Sequence, residues 1–199
     1  MASWTDIFNL SLARLEIEPI DNAETSQTAG AKHLRRVRDV QLDVALAVHP
    51  WNFATGWFKD LAAVDASEYA SPDFSTAIKV PSDCVRVLRV GGDRKRGRPF
   101  VVAEGYICTN ASAPLNIWAI KRKTDPGKFS PWFIDYLSAR LAWIVGKPLN
   151  ASEALRAAAK KDAKDALSDM QSIDGQEGEP PEIWPDAWLD ARESGDWFA

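Results

Sequence analysis

The chain has 199 residues, 46% of them hydrophobic and 26% charged. That length suits one domain with an appendage, and the composition excludes collagen-like, low-complexity and wholly disordered classes. The 24 basic and 28 acidic side chains leave a net charge of -4, too weak to announce a polyanionic partner for the whole chain. No run reaches the ~18 continuous apolar residues that a membrane helix requires, because Asp43, Arg140 or a proline interrupts each candidate; a soluble protein with no membrane partner is expected.

Ser3 followed three residues on by Asp6 predicts a capped helix start, and Trp4, Ile7, Phe8, Leu12 and Leu15 repeat at helical spacing up to Pro19, giving a first helix over 4–17. Without a basic residue before Arg14, this start does not read as a signal peptide. A polar stretch leads into a second helix over 26–48, where Leu34, Val37, Val40, Val44 and Val48 share one face and Pro50 ends the run. Lys32, Arg35, Arg36, Asp39 and Asp43 fall on the other face, serving solvation or contact with a neighbouring subunit.

Residues 51–62, WNFATGWFKDLA, are too aromatic for a plain linker. Beyond them the period turns extended, predicting strands at 76–80, 84–90, 99–103, 105–109 and 115–121, separated by Pro-, Gly- and Asn-bearing turns. An inserted, mostly antiparallel β unit over 74–122 follows. Cys84 and Cys108 lie in apolar strand-like runs and read as small buried hydrophobes, with a disulfide as the alternative.

Ser130 and Pro131 supply an N-cap and first-turn residue for a third helix over 131–146. One stripe holds Phe133, Leu137, Leu141 and Ile144 and another Trp132, Tyr136 and Trp143, so this helix is expected to be the centre of the core. A fourth helix is expected over 151–173, with Leu155, Ala159, Ala163, Leu167, Met170 and Ile173 on one face. The character then changes: residues 175–199 carry seven acidic side chains, one basic (Arg192), three prolines and four large aromatics. This acidic, Trp-rich tail cannot easily build a core alone and reads as a docking segment. The organisation is thus an α+β domain over 1–174, with a helical bundle from 1–60 and 129–174 and the β insertion between them, followed by a tail over 175–199.

Positive signs of catalysis are lacking. The two histidines, His33 and His49, have no cysteine partner or metal-binding spacing. The glycine-rich run at 91–97 lacks the Lys-Ser/Thr of a phosphate loop, and no helix follows it. No cofactor, no metal and no enzymatic activity are expected. The run Arg94-Lys95-Arg96-Gly97-Arg98-Pro99 spells the core of an AT-hook, whose arginines lie in the minor groove of A·T-rich DNA. Its position between two strands also suits a solvated hairpin tip, or a basic loop touching an acidic partner or enclosed DNA.

Taken in order, LSLARLEIEPI (10–20), LAVHPWNFAT (46–55), FSTAIKVPSDCVRVLRV (74–90), the EGYICTN-to-PLNIWAI hairpin (104–120), FSPWFIDYLSARLAWIVGKPLNAS (129–152) and the terminal WLDAR (188–192) resemble the head-to-tail adaptor family of tailed bacteriophages and gene transfer agents, tail tubular protein A-like. The resemblance implies a helical bundle carrying a β insertion, and a non-enzymatic virion protein at the head-tail junction, assembled in the host cytoplasm. It implies a dodecameric ring between a portal dodecamer and a downstream tail protein, passing double-stranded DNA through its lumen without sequence-specific binding. It also implies that the C-terminal segment runs along the portal. The matching positions are Trp184, Trp188, Leu189, Asp190, Ala191 and Arg192, and Trp197 and Phe198 extend the set. A fold-back of this tail on its own bundle is the competing reading of the same residues. Arg94, Lys95, Arg96 and Arg98, with Lys121, Arg122 and Lys123, are the basic residues expected to face a tail protein or the DNA path. An AT-hook-like DNA-binding regulatory protein is the alternative function.

Overall fold

A reciprocal capping box starts the first helix, α1 (Trp4–Ala13): Ser3 Oγ accepts the Asp6 N–H at 3.2 Å and the Asp6 carboxylate accepts the Ser3 N–H at 2.8 Å. In the computed structural model, which describes residues 2–65, 69, 73–91 and 97–177, α1 stops short of residue 17. Glu16 turns left-handed at φ 56°, and the N–H groups of Glu16 and Ile17 return to the carbonyls of Ala13 and Leu12. This left-handed cap satisfies the terminal carbonyls and ends the helix.

The second helix, α2 (Ala29–Val48), starts at the N-cap Thr28 and not at 26. The preceding residues form a loop instead. Asn22 Oδ1 accepts the N–H groups of Glu24 and Thr25, while the Arg35 guanidinium donates to the carbonyls of Ala23 and Ser26. Side-chain bonds of this kind compete with helical backbone pairing. The buried stripe of α2 also differs from the expected one. Ala31, Leu34, Leu42, Ala45 and Leu46 enter the core, whereas Val40, Val44 and Val48 stand in solvent at 63%, 43% and 42% exposure. Both stripes are apolar, and the long-range fit of leucines against α3 (Pro131–Gly146) decides between them.

Helix α3 has the expected bounds, and Ser130 Oγ accepts the Phe133 N–H. Phe133, Tyr136, Leu137, Leu141, Ala142 and Val145 are buried, while Trp132 is exposed and Trp143 and Ile144 are half-buried. The second expected stripe is therefore mostly peripheral. Around Phe133 an aromatic cluster forms, with ring centroids 5.7 Å from Trp51, 5.0 Å from Phe53 and 5.1 Å from Phe129. Trp51 satisfies its buried N–H on the Ala45 carbonyl at 2.9 Å. Helix α4 (Glu153–Glu177) follows a left-handed Asn150, begins at a Ser152 cap, and runs past the expected end at 173.

Charged ties fasten these helices. Arg14 at the end of α1 reaches Asp135 of α3 at 2.6 Å and Asp162 of α4 at 2.8 Å. Arg140 of α3 donates to Gln41 of α2 at 2.9 Å. Arg38 of α2 pairs with Glu24 and Asp39 and lies over the Trp4 ring.

Between α2 and α3 the chain builds two three-stranded antiparallel sheets among the described residues. The first orders β1 (Thr55–Leu61), β6 (Leu115–Lys121) and β3 (Cys84–Val90); the second orders β2 (Thr76–Lys79), β5 (Tyr106–Thr109) and β4 (Phe100–Ala103). Strand β1 lies inside the segment expected to belong to the bundle, so the β unit begins at Thr55 rather than 74. A tight hairpin joins β4 to β5 through Glu104 and Gly105, at φ 51° and 82°, the two positive φ values a type I′ turn requires. The expected hairpin over 104–120 is instead a passage from one sheet to the other. The β3-to-β4 connection likewise changes sheets, with a single antiparallel bridge between Val90 and Arg98.

Two register shifts in β3 break its simple alternation, so Val85 and Leu88 face the helical core while Val87 and Val90 face the second sheet. Ile120 joins the helical core. Leu115 and Ile117 meet Ile78 and Ile107 in a second, smaller cluster between the sheets. The architecture is α+β: a helical bundle carrying an inserted antiparallel β unit.

Candidate interaction surfaces

Three kinds of surface bear on recognition, and the outer face of α2 is the most distinctive. Valines at 40, 44 and 48 recur every fourth residue, about one helical turn apart, and all three are exposed. Beside them toward the start of α2, Gln27, Ala29, Lys32, His33 and Arg36 line a shallow recess of about 440 Å³. The acidic groups near the stripe are already engaged: Asp39 pairs with Arg38, and Asp43 with Arg122 at 2.7 Å. Lys32 and Arg36 are exposed and make no ion pair with a described residue. The face thus combines an apolar stripe with a net positive end, a pairing suited to an acidic, aromatic partner.

The β unit carries the second surface. Trp57 and Trp118 sit opposite each other on β1 and β6 with centroids 5.2 Å apart, and the Arg89 guanidinium lies 5.2 Å over the Trp57 ring. A Cβ on Gly97 would come within 2.4 Å of Arg89 Cγ, so glycine is what lets the chain pass the arginine stem here. Arg89, Gly97, Arg98 and Pro99 also line a shallow open recess of about 520 Å³. Arg98 is exposed; Arg94, Lys95 and Arg96 lie outside the described residues.

In the third set, Lys121, Arg122 and Lys123, the first two are tied into the fold, although Arg122 remains exposed. Lys121 closes β6, donates its ammonium to the Trp57 carbonyl at 2.7 Å and packs over the Phe58 ring at 4.3 Å. Arg122 holds Asp43 and so ties the β unit to α2. Lys123 is half-buried. Sequence spacing placed these three together but could not show that long-range partners occupy the first two.

Trp184, Trp188, Leu189, Arg192, Trp197 and Phe198 lie outside the described residues. The feature missed from sequence is the exposed α2 face, and its signal was present: a helix with two apolar stripes has one more than a single core contact uses.

Among the described residues, no group of three or more His, Cys, Asp or Glu side chains could hold a metal ion, and no helix is long and apolar enough to cross a membrane. Both cysteines are free, so the disulfide alternative does not hold. Burial, with the nearby Asp83 charge, pushes the half-buried Cys84 thiol up, disfavouring the reactive thiolate. His49 packs its ring 4.4 Å from Trp51 at the end of α2. Scans of the sequence against protein-family models and against curated proteins find no match.

Proposed function

We propose that this chain is a structural head-to-tail adaptor, a subunit of a twelvefold ring that joins a portal to the next tail protein and lets double-stranded DNA pass. The observation that carries the reading is the order of elements. Two helices precede and two follow an inserted antiparallel β unit, and all four helices contribute to one core, the arrangement implied for the family that the sequence resembles. Apolar surface on α2 that no described residue covers supports a role in assembly, since such stripes mark interaction faces.

In this reading the mechanism is complementary packing, repeated by symmetry. A ring multiplies each side chain by its number of subunits, so a modest patch on one copy becomes a continuous belt. Desolvated aromatic anchors of the tail, Trp184 and Trp188 foremost, would seat on the portal while the acids around them meet basic portal side chains. Any wall lining the DNA path is expected to be only weakly attractive, because strong phosphate contacts would hold the genome back.

The test is electron microscopy of the purified chain mixed with the portal protein from the same genome. Rings of twelve copies stacked on the portal are expected, and their loss on Trp184→Ala/Trp188→Ala. Portals that stay bare at micromolar concentrations would overturn the proposal. The DNA-binding alternative predicts tight, salt-sensitive binding of the isolated chain to A·T-rich duplex, which the adaptor reading does not require.

A further inference from the structure

We infer that the exposed valine face of α2 is a docking site for the acidic, Trp-rich segment 184–196 of the same chain. Three observations carry it: an uncovered apolar stripe, an uncompensated positive end, and a tail of matching chemistry that starts near enough to reach both.

The stripe runs about 12 Å from Val40 to Val48 at 1.5 Å per residue. Its own acids are taken up by Arg38 and Arg122, leaving Lys32 and Arg36 unneutralised at its far end. Residues 178–199 hold six acids against the single Arg192, so the tail is opposite in sign to that end. Its aromatic and acidic parts also fall in a useful order. Trp184, Trp188 and Leu189 come first, and Asp190, Glu193 and Asp196 follow.

Chain direction matches this order. A Cβ on Gly146 would lie 2.8 Å from Arg156 Cγ, which puts the end of α3 beside the start of α4. Arg14 then bridges Asp135, in the first half of α3, to Asp162, so α4 runs back toward the start of α3. Trp51, just beyond α2, packs on Phe133 at that same end. The tail therefore leaves the fold at the end of the bundle where Val48 sits. From Glu177 the chain can span up to about 25 Å to Trp184 and about 36 Å to Trp188, against two helix diameters of about 10–12 Å and the roughly 22 Å by which α4 runs on past Asp162. Laid extended back along α2, Trp184 and Trp188 would fall about 13 Å apart, the length of the stripe from Val48 past Val44 to Val40, and Asp190 and Glu193 would follow toward Arg36 and Lys32. Tethering makes the contact intramolecular, with an effective concentration in the millimolar range.

This contact belongs to the free subunit and stands or falls separately from the adaptor proposal. A portal competing for Trp184 and Trp188 would have to displace it. The experiment is nuclear Overhauser spectroscopy on the full-length chain with labelled valine methyls. Cross peaks are expected between the methyls of Val44 and Val48 and the indoles of Trp184 and Trp188. They should vanish in Trp184→Ala/Trp188→Ala and in Val44→Lys, and weaken in Lys32→Glu/Arg36→Glu and at high salt. Trp184→Ala/Trp188→Ala should also lower the melting midpoint by about 2–4 °C.

Absence of these cross peaks in the full-length chain would overturn the inference. So would cross peaks seen only between differently labelled molecules in a mixed sample, which would make a second copy the occupant. Portal binding enters none of these readouts, so bare portals would sink the adaptor proposal and leave this result standing.

Discussion

The helical bundle and the β unit are held in different ways. In the bundle, buried side chains from all four helices join one core that includes Phe133 and Trp51, and Arg14 and Arg140 lock the helices to one another through charged or polar partners. The β unit has a smaller core of Ile78, Val90, Ile107, Leu115 and Ile117, and its joint to α2 leans on the Arg122–Asp43 pair and the strands facing the bundle. Stability is expected to concentrate in the bundle, leaving the β unit as the part that yields first.

The strongest way to break that contrast is Trp51→Ala. Trp51 is 1% exposed and its N–H is bonded to Ala45, so truncation is expected to cost about 3–5 kcal/mol and to lower the midpoint of the whole helical signal in urea. Loss confined to the β unit would contradict the placement of the main core. Ile107→Ala should cost about 2–4 kcal/mol, with amide exchange rising first in β2, β4 and β5 while α3 stays protected. Uniform exchange across both regions would instead make the molecule a single cooperative block.

Arg14→Ala separates packing from charge. Its partners are about half exposed, so water screens both pairs and the loss should be only about 1 kcal/mol, shrinking further in high salt. On α2, Val44→Asp should cost no more than about 1 kcal/mol, the loss of the tail contact alone, because the side chain takes no part in the core. Leu46→Asp on the buried face should prevent stable folding. Equal effects of the two would contradict the orientation of α2.

The smallest effect concerns pH. Hydrogen bonds from the Ser3 hydroxyl and backbone hold the exposed Asp6 carboxyl below its ordinary 3.8. Because the folded value is depressed, the stabilisation is complete above the unfolded value and is lost as pH falls below 3.8 through the folded one. Asp6→Asn should therefore flatten the acid end of the melting profile while leaving pH 7 nearly unchanged, and an unaltered acid limb would remove Asp6 from the account.

Elements with strong local punctuation were legible in the sequence. Ser130-Pro131 and the Ser3/Asp6 pair fixed helix starts, and turn residues separated the later strands. Strand β1 was not legible, because Trp57 and Phe58 merge into the aromatic run from Trp51 and the bulge between Phe58 and Leu61 interrupts alternation. The end of α1 was hidden since its left-handed cap is Glu16 rather than glycine. For the candidate surfaces, periodicity revealed that α2 has apolar stripes but not which one meets α3. Lys121 and Arg122 looked free because Trp57 and Asp43, their partners, are remote in sequence.

The central claim, that the chain works by joining two larger assemblies, is tested most directly by making particles without it. Filled capsids lacking the chain are expected to carry no tails and to lose their DNA, with both defects rescued by the intact chain. Capsids that still acquire tails and keep their genome in its absence would contradict the account.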